Sequence, residues 1–270
     1  MQLAGWNEPR PNGVGISRPG LTGRTFVASP LEWFFLLAGL ALVVRYRWIL
    51  DDSTVYFRYV DNLLFLKRGL VYNYREFVEG FSSPLWVGVL VVCRFTRLDY
   101  WTITLACACV SWILFWLAAV HVNRVLGAPD RRGGVNLPLI LLATAYGPLS
   151  YFSSGSESPL MQLSAACVAL YAINPGSTLW QLLLGLMPLV RNEFVIPLLG
   201  LIACRYWISR RLPWPILGSA ATACGAWLGF RVYYYADLFP CPFYLKDKAC
   251  TTCSTGSPRT AFGSCWHSPQ

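Results

Sequence analysis

Ser83-Pro84-Leu85-Trp86-Val87-Gly88-Val89-Leu90-Val91-Val92-Cys93-Arg94-Phe95 is the stretch on which the architecture turns. Its apolar part, 84–95, is brief against the roughly 20 residues of a membrane span, and it runs into Arg94 and Arg97. If it crosses a bilayer, every later segment changes side. If it lies along the interface, three arginine clusters fall on one face. They are the N-terminal tail (Arg10, Arg18, Arg24), the 123–135 loop (Arg124, Arg131, Arg132) and the 205–211 turn (Arg205, Arg210, Arg211). Membrane proteins retain Lys and Arg on the cytoplasmic side, so the shared face is the cytoplasm. The interfacial reading follows, with Pro84 near the start of a surface helix.

Outward from that stretch, apolar runs at 31–50, 100–122, 137–153, 159–173, 178–190, 194–208 and 214–233 are the span candidates. Composition agrees. Hydrophobic residues make up 55 % of the chain and charged ones 13 %, against about 25 % in soluble domains. So few charges cannot cover a water-facing surface of this size, and the bilayer must serve as solvent. The 12 Trp and 14 Tyr suit the headgroup level. The net charge of +9 does not imply nucleic-acid binding, because the arginines stand scattered between apolar runs. The prediction is an all-α integral membrane protein of about seven transmembrane helices in the cell membrane.

Three regions follow: a polar cytoplasmic tail at 1–28, a membrane module at 29–248, and a tail at 249–270. No removable signal peptide is visible at the N-terminus, so the first span reads as a retained anchor. The last region is small, polar and aperiodic, a composition that predicts disorder. It carries Cys250, Cys253 and Cys265. With Cys241 and His267 these make a zinc site thinkable, but one CxxC without a regular second pair is a weak signal. The remaining six cysteines lie in apolar runs and read as small core hydrophobes. Arg45 and Arg47, near the outer end of the first span, either snorkel to the headgroups or serve an anionic ligand.

The chemistry collects in the first external loop, 51–99. It opens Asp51-Asp52-Ser53-Thr54-Val55-Tyr56-Phe57-Arg58-Tyr59. Adjacent carboxylates at the end of a span are costly unless they are solvated or used, and one of them suits general-base work. A solvated loop start or a helix cap is the alternative. Further on stands Tyr72-Asn73-Tyr74-Arg75-Glu76-Phe77-Val78-Glu79-Gly80-Phe81-Ser82-Ser83-Pro84-Leu85-Trp86, an aromatic and polar mixture that suits a segment along the headgroups.

These segments, taken in order, resemble the first external loop of GT-C membrane glycosyltransferases, and among them the branch of mycobacterial terminal arabinofuranosyltransferases. Gly155-Ser156-Glu157-Ser158-Pro159-Leu160 resembles that family's Gly-x-Glu-Thr-Pro-Leu loop, and Arg191-Asn192-Glu193 its Arg-Pro-Glu turn. Tyr233-Tyr234-Tyr235-Ala236-Asp237-Leu238-Phe239-Pro240, followed by Phe243-Tyr244-Leu245-Lys246, resembles a further stretch, although Pro240-Cys241-Pro242 stands where the family has Pro-Asn-Thr. The resemblance covers about residues 30–248. It implies a GT-C bundle with an interfacial helix between the first loop and the second span.

It also implies transfer of a sugar from a polyprenyl-phosphate carrier to a glycan or lipid acceptor on the external face. No cofactor or metal is implied beyond the donor itself. Asp51 or Asp52 would be the base, with Asp51 the first choice. Arg58, Arg191 and Lys246 would contact phosphate or sugar, and Glu79, Glu157 and Glu193 would accept sugar hydroxyls. Arg191 with Glu193 also reads as a plain local ion pair. The resembling enzymes run on for hundreds of residues, so the resemblance implies a truncated or frame-shifted copy. Two other classes compete: a secondary transporter, disfavoured because no halves repeat and the acids avoid span centres, and a non-catalytic membrane scaffold. The topology has a direct test. Single cysteines at positions 82 and 131 in a cysteine-free background should label from outside and from inside respectively, and external labelling at 131 would refute the arrangement.

Overall fold

The computed structural model describes residues 29–126 and 146–236. Among them every regular element is helical: α1 (Pro30–Arg45), α2 (Asp51–Leu64), α3 (Pro84–Arg94), α4 (Tyr100–Leu126), α5 (Tyr146–Phe152), α6 (Ser158–Ile173), α7 (Thr178–Gly185), α8 (Met187–Val190), α9 (Val195–Ser209) and α10 (Trp214–Tyr235), with a 3-10 turn at Asn192–Phe194. The 1–28 tail, most of the 123–135 loop, Lys246 and the 249–270 tail lie outside the described residues.

Local chemistry sets the first boundaries. Ser29 caps α1: its Oγ accepts from the Glu32 amide, and the Glu32 carboxylate accepts from the Ser29 amide. This reciprocal box, with Pro30 in the first turn, satisfies donors that a helix start otherwise strands. The helix gives out at Tyr46 and the next begins at Asp51, so the run at 31–50 is a shorter helix than its apolar length suggests.

α4 is the axis of the bundle, packing against α1 on one side and α6 on the other. Gly39 makes the first contact possible. A methyl group there would sit 2.1 Å from the buried Trp112 ring. Trp112 Nε1 donates to Leu36 O at 3.1 Å and Trp116 Nε1 to Glu32 O at 2.8 Å, so both indoles find acceptors on the facing helix. A dry cluster of Leu36, Val43, Trp112, Trp116, Leu149 and Phe152 fills this seam.

Among the described residues one helix, Tyr100–Val125, is long and apolar enough to cross a membrane. Of the others expected to span, α10 has 22 residues but is not apolar enough. The 137–153 run lies largely outside the described residues, and the rest are shorter or broken. The run at 178–190 is split between Gly185 and Met187, with Pro188 in the first turn after the break. α3 has 11 residues, a rise of about 16 Å against a hydrocarbon core of about 30 Å. That length fits a surface helix. The outside of the molecule is apolar: α9 buries only Leu198, leaving Ile196, Leu199, Trp207 and Ile208 exposed. Cys204 faces outward on the same helix, so it is not the core residue expected. A helix apolar all round and unburied needs an apolar solvent, which supports membrane association.

Replacing Gly39 with Leu should cost at least the roughly 1–3 kcal/mol typical of overpacking, read as a lower unfolding midpoint in detergent. Gly88, where nothing lies within 4 Å of the place a methyl group would take, serves as control. Gly88→Ala should be close to neutral, and equal effects at the two positions would refute the seam.

Candidate functional site

The site is built on one backbone carbonyl. Ser154 O accepts from the Leu50 amide at 2.9 Å and from Ser53 Oγ at 2.9 Å. The 154–157 loop is thereby pinned to the start of α2. Gly155 follows in the left-handed region, at φ 80°. A side chain there would be strained, and its Cβ would lie 3.0 Å from both Phe57 Cζ and Ser53 Cβ. From the other side Trp86 Nε1 donates to Gly155 O at 2.8 Å. α2, α3 and the loop thus close on one another, with the hydroxyls of Ser154, Ser156 and Ser158 linked in steps of 2.8 Å.

That closure delivers Glu157 beneath α2. Tyr56 Oη donates to Glu157 Oε2 at 3.1 Å and lies 3.4 Å from Ser82 Oγ. Burial, then the Glu157 carboxylate, raises the Tyr56 phenol above its usual range, so it stays a donor. On the far side Arg191 Nε stands 3.6 Å from Glu157 Oε1 and 3.3 Å from Glu193 Oε2. Arg191 donates no aligned hydrogen bond to any described residue. Its side chain is 32 % exposed. It therefore keeps guanidinium donors for a ligand.

Asp51 and Asp52 form the first turn of α2, where the helix dipole favours negative charge. Both are exposed, and neither carboxylate has a partner among the described residues. Their directions differ. Asp52 precedes Tyr56 by four residues, about 40° around the helix, whereas Asp51 lines up with Arg58, about 20° away on the solvent side. Asp52 is the one that shares a helix face with Tyr56.

Other expected residues stand elsewhere. Arg58 donates through Nε to Tyr72 O at 3.0 Å and through Nη2 to Asn73 Oδ1 at 3.2 Å, and its guanidinium covers the Tyr72 ring. It braces the loop. Glu79 is 3 % exposed and faces Arg231, itself 6 % exposed. Nη2 donates to Oε1 at 3.2 Å, and Nε lies 2.5 Å from Oε2. Glu193 is 56 % exposed at the edge of the site. Arg47 stacks on the Trp101 ring at 5.6 Å, as a headgroup-level side chain does.

Sequence reasoning passed over Tyr56, Ser82 and Arg231. Arg231 had a signal: an arginine inside the apolar 214–233 run is costly in a membrane and asks for a partner. Beside it, Tyr235 Oη donates to Leu70 O at 2.8 Å, and Tyr234 Oη accepts from the Leu70 amide at 2.9 Å. The end of α10 therefore grips the segment between α2 and α3 through three side chains.

No protein-family model matches the chain, and no solved structure does. A curated relative is the "Terminal beta-(1->2)-arabinofuranosyltransferase" of Mycobacterium tuberculosis (strain ATCC 25618 / H37Rv). This is a likeness to a glycosyltransferase. The two are 31 % identical over 228 residues, which cover 75 % of this chain and 35 % of the relative. The chain thus spans about a third of the length of the relative it matches.

The buried Glu79–Arg231 pair generates a thermodynamic prediction. Arg231→Met alone leaves a buried carboxylate unpaired and should cost about 3–5 kcal/mol, whereas Glu79→Leu with Arg231→Met should recover most of it. Reversible unfolding in mixed micelles measures the cycle. Additive losses in the double variant would show that the pair does not act as a unit.

Proposed function

We propose that this chain is a multi-pass membrane glycosyltransferase module, N-terminus cytoplasmic, that handles a polyprenyl-phosphate sugar on the external face. The observation that carries the reading is the meeting of Tyr56, Glu157 and Arg191 under the first turn of α2. Those residues come from segments far apart in sequence, and the similarity to a glycosyltransferase extends over 75 % of the chain. The relative's name makes an arabinofuranosyl group the first sugar to test.

In this mechanism Asp52 takes the proton of the acceptor hydroxyl as its oxygen attacks the anomeric carbon. The bond from that carbon to the carrier phosphate breaks, and the negative charge leaves on the phosphate. Arg191, partly exposed and ion-paired with Glu157 and Glu193, is the cation nearest to hold it. Lys246, outside the described residues, is a second candidate for the same task. Glu157, fixed by Tyr56 and Arg191, accepts hydroxyl groups of the sugar. Glu193 contributes at the open edge. Arg58 and Glu79 act on the fold of the loop, so their variants should alter stability before chemistry.

Radiolabelled transfer from a polyprenyl-phosphate arabinofuranose donor to a glycan or lipid acceptor tests the reading. Asp52→Asn should lower the rate about 10²–10⁴-fold while donor binding survives, and Asp51→Asn should do less. Parental rates in both variants would remove the base from this loop. No transfer by the parent chain, with donor binding also absent, would overturn the enzymatic reading.

A further inference from the structure

A second polar site lies at the other end of the bundle, where the end of α6, the start of α7 and the turn between α9 and α10 enclose a cavity of about 270 Å³. Tyr171, Gln181, Arg205 and Arg211 line it. Tyr171 is 4 % exposed and Gln181 9 %. Even so, Tyr171 Oη and Gln181 Oε1 find no hydrogen-bond partner among the described residues. Gln181 uses Nε2 on Pro175 O at 2.9 Å, which fixes Oε1 as its open end. Buried polar atoms are normally satisfied, so two orphans on side chains that line one cavity, within a small side-chain turn of it, point to a ligand.

The charge around them is one-sided. Arg205 and Arg211 make no ion pair with any described residue. The 174–181 and 205–215 segments contain no Asp or Glu. Tyr206, Trp207, Ile208 and Trp214 stand exposed beside the cavity, an aromatic and apolar fringe of the kind that sits at a headgroup level.

We propose that this cavity binds a phosphate ester carrying a free hydroxyl, the chemistry of a phosphatidylglycerol headgroup. The phosphate oxygens accept from Arg205, Arg211 and the Tyr171 hydroxyl, and the headgroup hydroxyl donates to Gln181 Oε1. This complement discriminates. A choline headgroup brings a cation against two arginines and no donor for Gln181. An ethanolamine ammonium supplies the donor but meets the same arginines. The arginine clusters put this site on the cytoplasmic face, opposite the proposed transfer site, and the inference does not depend on that reading.

The experiment uses the full chain in detergent, with native mass spectrometry and thermal unfolding after addition of phosphatidylglycerol, phosphatidylcholine or soluble glycerol phosphate. Phosphatidylglycerol should remain bound and raise the unfolding midpoint, and phosphatidylcholine should do neither. Arg205→Gln with Arg211→Gln should weaken phosphatidylglycerol binding at least tenfold. Protection by glycerol phosphate equal to that by the lipid supports the same site and assigns it to a soluble ester. Should the double arginine variant fail to fold, Tyr171→Phe and Gln181→Leu carry the same readout and should each weaken binding several-fold. Equal binding of phosphatidylcholine, or parental phosphatidylglycerol affinity in the variants that fold, would overturn the proposal.

Discussion

The Ser154 carbonyl holds together everything of chemical interest around α2. α2 begins without a side-chain cap, and its entry is fixed instead by the Leu50 amide and the Ser53 hydroxyl, both donating to that oxygen. Both lone pairs are thereby used. Because Gly155 and Trp86 close the same contact from the other side, the loop cannot shift without losing several buried hydrogen bonds together. The position of Glu157 under Tyr56 is a consequence of that clamp, and so is the reach of Arg191 toward it.

Polar groups are distributed as a lipid solvent would require. Serines, Glu79, Glu157 and Arg231 are buried, while leucines, valines and aromatics cover the outside. In water the arrangement would be unfavourable on both counts. In a bilayer it satisfies hydrogen-bonding groups internally and exposes apolar surface to hydrocarbon. The short helices set a limit, since α1 and α6, of 16 residues each, rise about 24 Å against a hydrocarbon core of about 30 Å.

How much of this could be read from the residues divides along a physical line. Local properties were legible: the brevity of 84–95 and the ion pair at Arg191 and Glu193, whereas the helix at Asp51–Leu64 was not foreseen within the loop. Long-range pairings were not. Nothing in the spacing of Glu79 tells it apart from a turn residue, because its partner lies 152 positions away. Likewise the periodicity of 178–190 suggests one helix, and only Pro188 hints at the break that brings Arg191 to the site. Of the two carboxylates at 51 and 52, the family resemblance put Asp51 first, and Asp52 takes its place as the proposed base because it shares a helix face with Tyr56.

The sequence distance between Glu79 and Arg231 bears on how the protein is made. At about 5–20 residues per second, a ribosome takes roughly 8–30 s to reach Arg231 after adding Glu79. Throughout that interval the carboxylate has to stay hydrated, because entering its buried place alone would leave it without a counter-ion. The segment between α2 and α3 therefore matures only after the last described helix has been made. Its arrival completes the ion pair and brings Tyr234 and Tyr235 to Leu70 in the same event, so assembly of this side of the molecule waits on the nascent chain's late segment.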